Sequence, residues 1–289
     1  MRRALLAVAA AAAIVVAAPA SSQDVALTAM VRTEQTFAAR ALVVGWKRAF
    51  LEYFADAAVG FDGDRTAPAK SLFRMQPDPP KDLRILWEPR YGDMAASGDL
   101  GYLTGPVRTI NPARDNGQPR HSIYASIWKR QPDGAFKVVM DMGVSAPALV
   151  PFPDGFTRAL RTNVYTGTAS AAADARSLRD TDAALTNAAL AGQADAYRGH
   201  LAWSARLHRP AVMPLVGQEA IVAWLMGQPA YASGESQFSE TARSGDLGYT
   251  YGSYVMKGDP AADHGFYVRA WTRGRDGVWR VALDVLQPQ

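Results

Sequence analysis

The chain repeats itself, and that constrains its fold more than any single motif. Ser97-Gly98-Asp99-Leu100-Gly101-Tyr102 recurs as Ser244-Gly245-Asp246-Leu247-Gly248-Tyr249, an offset of 147 residues, and Gly105 and Gly252 keep the same offset. Upstream, Gly45, Ala49, Phe50 and Phe54 match Gly192, Ala196, Tyr197 and Leu201. Downstream, Tyr124 and Trp128 match Tyr267 and Trp271, and Phe136 and Asp141 match Trp279 and Asp284, now at an offset of 143. The length difference falls between Gly105 and Tyr124, and the Pro- and Gly-containing stretch 111–119 is its natural place. Solenoid repeats recur every 20–50 residues or so, so a period this long predicts two copies of one domain. We place them at residues 24–145 and 170–289. Pro147, Pro151 and Pro153 oppose helix and sheet alike, which makes 146–169 a Pro-rich linker and lead-in.

Each copy opens on helical periodicity. Leu190, Ala194, Tyr197 and Leu201 form one apolar stripe, matched in the first copy by Val43, Phe50 and Phe54. A second helix is predicted over 218–225, with a shorter counterpart starting at Pro79-Pro80-Lys81. The later part of each copy reads as strands. Residues 83–88 are short and apolar, residues 122–130 and 265–273 alternate, and Asp133-Gly134 and Asp276-Gly277 are hairpin turns. Helices followed by a consecutive antiparallel run imply an α+β fold.

Composition narrows the classes. The chain has 48% hydrophobic and 20% charged residues, which excludes a disordered polymer. It has no cysteine, so disulfides, thiolate metal sites and a cysteine nucleophile are excluded. Met1-Arg2-Arg3, the apolar run 4–18 and Ala18-Pro19-Ala20 have the layout of a signal peptide over residues 1–22. Fifteen apolar residues fall short of the about 20 needed to span a bilayer. We therefore expect a periplasmic or secreted protein, free of the membrane once the leader is cleaved. The formal charge of +4 drops to +2 without Arg2 and Arg3, too little to suggest nucleic acid.

The helix with Gly and Ala-Phe or Ala-Tyr at its middle, then Trp87-Glu88-Pro89, Ser-Gly-Asp-Leu-Gly-Tyr, Tyr-x-x-x-Trp, Asp-Gly and a final Val-x-x-Asp strand resemble the SnoaL-like/DUF4440 branch of the nuclear transport factor 2-like superfamily. The resemblance covers nearly all of each copy. It implies two tandem cone-shaped domains, each a bent antiparallel sheet wrapped around N-terminal helices, with a cavity at the open end. It also implies that such domains pair sheet against sheet about a two-fold axis. The family includes isomerases, dehydratases, cyclases and binding modules, so it implies no one function. Its enzymes carry a carboxylate or a histidine in the cavity as a general base.

Four residues are candidate catalytic groups. Asp141 and Asp284 share a repeated position on the last strand, but each is expected to share a strand face with a basic residue, Lys137 or Arg280, which favours an ordinary ion pair. Asp56 is a pocket candidate by analogy with the family, and Trp203 stands at its offset in the second copy. His200 lies beside an apolar stripe. His121, His208 and His264 occupy no repeated position, and we expect no metal site and no cofactor. Asp99 and Asp246 are accounted for by turn chemistry. Candidate ligand-lining aromatics are Trp46, Tyr53, Trp87, Tyr102, Trp203 and Tyr249. No repeated acid–base pair is evident. The sequence therefore favours a non-catalytic binder of a small apolar or amphipathic molecule. The alternatives are a cofactor-independent isomerase, dehydratase or cyclase using a buried Asp or His, and a structural or partner-binding pseudo-dimer. The Tyr124/Trp128 and Tyr267/Trp271 faces are expected to meet between the copies, since soluble monomers rarely expose so large an apolar patch.

Overall fold

A computed structural model of the chain describes residues 21–161, 164–167, 170–258 and 263–289. The proposed leader lies almost wholly outside the described residues.

The first half runs α1 (Ser22–Val44), α2 (Trp46–Tyr53), β1 (Phe54–Asp62), β2 (Arg65–Pro68), α3 (Ala69–Met75), β3 (Arg84–Trp87), β4 (Tyr91–Met94), β5 (Leu100–Ile110), β6 (Arg120–Arg130), β7 (Phe136–Ala146) and β8 (Thr157–Arg158). Its sheet has the order β2-β1-β7-β6-β5-β4-β8, with β3 also on β5. The second half runs α4 (Ala171–Ala188), α5 (Gln193–Arg198), β9 (Leu201–His208), β10 (Leu215–Val216), α6 (Gln218–Leu225), β11 (Tyr231–Thr241), β12 (Leu247–Met256), β13 (His264–Arg273) and β14 (Trp279–Pro288). Its sheet has the order β10-β9-β14-β13-β12-β11. The central strands pair antiparallel, while β1 on β7 and β9 on β14 close each sheet in parallel. These are two cones in tandem, each a bent sheet around its own N-terminal helices.

The repeated motif seats the helix on the sheet. A Cβ on Gly101 would stand 2.7 Å from Met30 Sδ of α1, and one on Gly248 would stand 2.6 Å from Leu178 Cδ2 of α4. Only glycine lets the helix approach this closely.

Both cones carry the same β-bulge. Ile127 pairs with Met140 but Trp128 pairs with Val138, and Ala270 pairs with Leu283 but Trp271 pairs with Val281. The unpaired Val139 and Ala282 reverse the side-chain alternation beyond them. Asp141 therefore does not share a face with Lys137, nor Asp284 with Arg280, contrary to simple alternation. Lys137 Nζ bonds the Glu52 carbonyl at 2.7 Å, and Arg280 pairs with Asp276 at 2.6 Å.

The outer sheet faces pack against each other. Ile123, Ala125, Ile127, Met140 and Met142 share one buried core with Phe266, Val268, Ala270, Leu283 and Val285. Phe61 stacks on Phe266 at 4.3 Å. The Tyr–Trp faces expected at this seam turn inward instead. Trp128 Nε1 donates to Glu34 at 2.8 Å, and Trp271 Nε1 donates to Thr250 Oγ1 at 2.8 Å. A buried indole N–H needs an acceptor, and each cone interior supplies one.

The Ser-Gly-Asp turns also meet across the seam. Ser97 and Ser244 hydroxyls lie 2.8 Å apart, the Ser97 backbone N–H donates to Ser244 Oγ at 3.1 Å, and the Ser244 N–H donates to Ser97 Oγ at 3.2 Å. Arg243 Nε reaches Asp99 at 3.1 Å. From the connecting segment, β8 joins the first sheet beside β4, and Arg161 bridges Asp93 of the first half to Asp246 of the second.

Three helix predictions shift. The stripe read as one helix from Leu190 to Leu201 is a turn, then α5, then the start of β9, because the chain breaks after Ala188 and again at Gly199. Phe54 likewise opens β1. The counterpart of α6 is α3, before Pro79-Pro80 rather than after it.

Candidate functional site

The most informative side chain in the first cone is one the sequence did not single out. Glu34 of α1 is 1% exposed among Met30, Val31, Phe37 and Ala41. Trp87 Nε1 donates to its Oε1 at 2.7 Å, while Ser126 Oγ and Trp128 Nε1 donate to its Oε2 at 2.9 and 2.8 Å. Burial raises its pKa, and the three donors act against that rise.

Asp141 lies opposite Ser126 on the same inward face, and Tyr124 lies one pair further along, opposite Gly143. Asp141 forms no hydrogen bond or ion pair among the described residues. Burial, followed by repulsion from Glu34, pushes its carboxyl up to about 8. The Tyr124 hydroxyl is buried with no hydrogen-bond partner among the described residues, and its pKa is raised well above normal by burial and by Glu34, Asp141 and Glu88. Two carboxyl groups share this interior, and among the described residues no basic side chain bonds either. The donors gather on Glu34, whereas Asp141, its carboxyl pushed up to about 8, keeps its proton at neutral pH. At neutral pH the Asp141 carboxyl is thus a hydrogen-bond donor beside a second unused polar group, the Tyr124 hydroxyl.

The second cone has the same carboxylate pair in the opposite electrostatic state. Asp182 of α4 and Asp284 of β14 correspond to Glu34 and Asp141, but Arg269 replaces Ser126. Its Nη1 bonds Asp182 at 2.7 Å and its Nε bonds Asp284 at 2.7 Å. Arg209 adds a 2.6 Å bond to Asp284, and the Tyr197 and Tyr267 hydroxyls donate to Asp284 and Asp182 at 2.7 Å each. Burial alone would raise the Asp284 pKa, but Arg209 and Arg269 outweigh it and hold the carboxyl below its usual value. One cone therefore encloses a protonatable pair, the other a neutralised ion-pair network.

The remaining candidates are dispersed. Asp56 points to solvent with its side chain 98% exposed and pairs with Lys70 at 2.7 Å, which lowers its pKa. The His200 ring Nδ1 lies 2.7 Å from the Ala196 carbonyl at the end of α5. Trp203 is 79% exposed on β9. Tyr102 and Tyr249 are buried on the sheet faces turned away from the cone interiors. Trp46 packs on Phe50 and Phe73, and Tyr53 stacks on Phe37 at 4.8 Å. Of the aromatic candidates, Trp87 alone bonds Glu34. It also walls a cleft of about 330 Å³ with Leu86, Glu88, Pro106, Arg108 and Leu149. No group of three or more His, Cys, Asp or Glu able to hold a metal occurs among the described residues.

Glu34 was detectable in the sequence as a carboxylate in an apolar helical stripe. The Ser126/Arg269 difference was detectable as a departure within the repeat. No family model matches the chain, and no curated protein matches it. Among solved structures, it is similar to a domain of unknown function with a cystatin-like fold from Nostoc punctiforme, at 16% identity over 40% of this chain and 78% of that one, TM-score 0.35. It is also similar to an NTF2-like protein of unknown function from Pseudomonas putida, at 18% identity over 49% of this chain and 100% of that one, TM-score 0.31.

Proposed function

We propose that the first cone is a binding site for a small, largely apolar molecule carrying an oxygen acceptor, such as a carbonyl. In this reading the molecule enters beside Trp87, and its oxygen takes hydrogen bonds from the neutral Asp141 carboxyl and the Tyr124 hydroxyl. The supporting observation is the contrast between the cones: matched carboxylate pairs, with Arg269 inserted in one and Ser126 leaving the other free. A site-resolved carbon NMR titration of Asp141 with and without a cyclic ketone probe tests it. The probe should raise the Asp141 midpoint, because it binds the protonated form. An unchanged midpoint at saturating probe removes the reading.

A cofactor-independent lyase or isomerase is the second reading, favoured by a carboxyl whose midpoint lies near neutrality, where it can both give and take a proton. Deuterium exchange at the α-carbon of the same probe, abolished in Asp141→Asn, would support it. We also propose that the chain is exported and that one chain, with its two sheets packed together, is the soluble unit. N-terminal sequencing of the mature protein, expected to begin near Ser21–Asp24, and light scattering, expected to give one chain's mass, test those two points.

A further inference from the structure

We infer that the second cone holds its own small-molecule site, separate from the Asp141 site and built for a neutral headgroup. The mouth of this cone, where β9, β12 and β14 end and α5 begins, is a cleft of about 330 Å³. That is at the lower end of ordinary ligand pockets, about 300–1,000 Å³. Val212, Trp224, Met256 and Leu286 supply apolar walls, and Gln193 and Arg209 supply the polar ones.

Gln193 is 2% exposed, and its amide orientation is fixed by the structure around it. Its Nε2 donates to the Pro229 carbonyl at 2.6 Å, so Oε1 must point the other way, where it is buried without a partner among the described residues. An unpaired buried acceptor costs free energy that a bound donor would recover. Arg209 is 5% exposed. Its Nη1 is committed to the His208 carbonyl and Asp284, and its Nη2 has a 3.5 Å contact with the Tyr197 hydroxyl. An amide with an unpaired oxygen and a guanidinium whose Nη2 is weakly engaged thus both line one apolar cleft.

Charge decides the ligand class. Behind the cleft, Arg209 and Arg269 are balanced by Asp182 and Asp284. Asp263 stands at the rim, its pKa raised by burial. A carboxylate ligand would add uncompensated negative charge, and an ammonium would face Arg209. A neutral group that both donates and accepts fits: a primary or secondary amide, with its N–H toward Gln193 Oε1 and its oxygen toward Arg209.

The test uses hexanamide and benzamide as probes, with hexanoate and hexylamine as charged counterparts, read by saturation-transfer NMR titration on the mature chain. The amides should bind at least tenfold more tightly than either ion. Val212→Trp, which fills the cleft without touching the charged network, should abolish amide binding with an unchanged far-UV spectrum. Gln193→Leu, if it folds, should weaken it roughly tenfold, as expected for one buried hydrogen bond. No amide binding, equal or better binding of hexanoate, or amide binding that survives Val212→Trp would each overturn the inference.

Discussion

Replacing Asp141 by Asn should stabilise the protein, and by an amount that grows with pH. Asp141 titrates at about 8 in the folded chain against a reference of 3.8. An acid whose folded pKa is raised binds more protons folded than unfolded between those two values. Stability is therefore lost as pH rises through that window, at about 1.4 kcal/mol per pH unit, and the loss levels off above the folded pKa. At pH 7 the window spans roughly three units, a ceiling of about 4 kcal/mol. Part of the residue reaches solvent, so a realistic gain for the variant is about 2–4 kcal/mol. Asparagine is neutral in both states and close in shape, so it removes the penalty without opening a cavity. Urea unfolding of both proteins, followed by tryptophan fluorescence from pH 4 to 9, measures the difference directly. It should be near zero at pH 4, rise to pH 8 and then flatten. A difference independent of pH, or a wild type that gains on the variant as pH rises, would refute the assignment of the proton to Asp141.

The second cone should respond with the opposite sign. Asp284→Asn is expected to cost about 3–5 kcal/mol at pH 7, because it strips a partner from buried Arg269 and Arg209. Since the Asp284 pKa is lowered, that cost should shrink as pH falls below about 4, measurable in the same urea series. Ser126→Arg should move the first cone toward the electrostatics of the second and pull the Asp141 midpoint below 7, readable by carbon NMR; an unmoved midpoint would show that Ser126 is not the deciding difference. Gly101→Ala should destabilise by about 1–3 kcal/mol, since its Cβ would stand 2.7 Å from both the Asp93 carbonyl and Met30 Sδ. Chemical denaturation that leaves Gly101→Ala unchanged would argue against close seating of α1 on the sheet.

The fold was legible because repetition samples the same physics twice. Turn-forming Ser-Gly-Asp and close-packing glycines cannot vary freely, so they marked matching positions 147 residues apart. The helix ends were less legible, because Leu190 to Leu201 keeps helical spacing across two breaks that depend on tertiary packing. The bulges at Val139 and Ala282 were not legible at all. A strict period of two puts Lys137 beside Asp141, and only the inserted residue moves them to opposite faces. The site was hidden for that reason, and because Glu34 is distant from Asp141 in sequence. Arg209 and Arg269 were missed because charged residues are ordinarily solvated, and their burial becomes apparent only with the partners around them.

The reciprocal contact between the Ser97 and Ser244 turns places the halves about an approximate two-fold axis, as two identical subunits would sit. In a true homodimer every substitution appears twice, so an arginine that neutralises one interior must neutralise both. Joining the copies in one polypeptide removes that restriction. Serine at 126 and arginine at 269 occupy equivalent places with different consequences, and each half can be altered without a matching alteration in the other. The second half then keeps a charge-balanced interior, while the first keeps its acidic interior uncompensated. Covalent linkage in this protein is what makes asymmetry between two near-equal halves heritable.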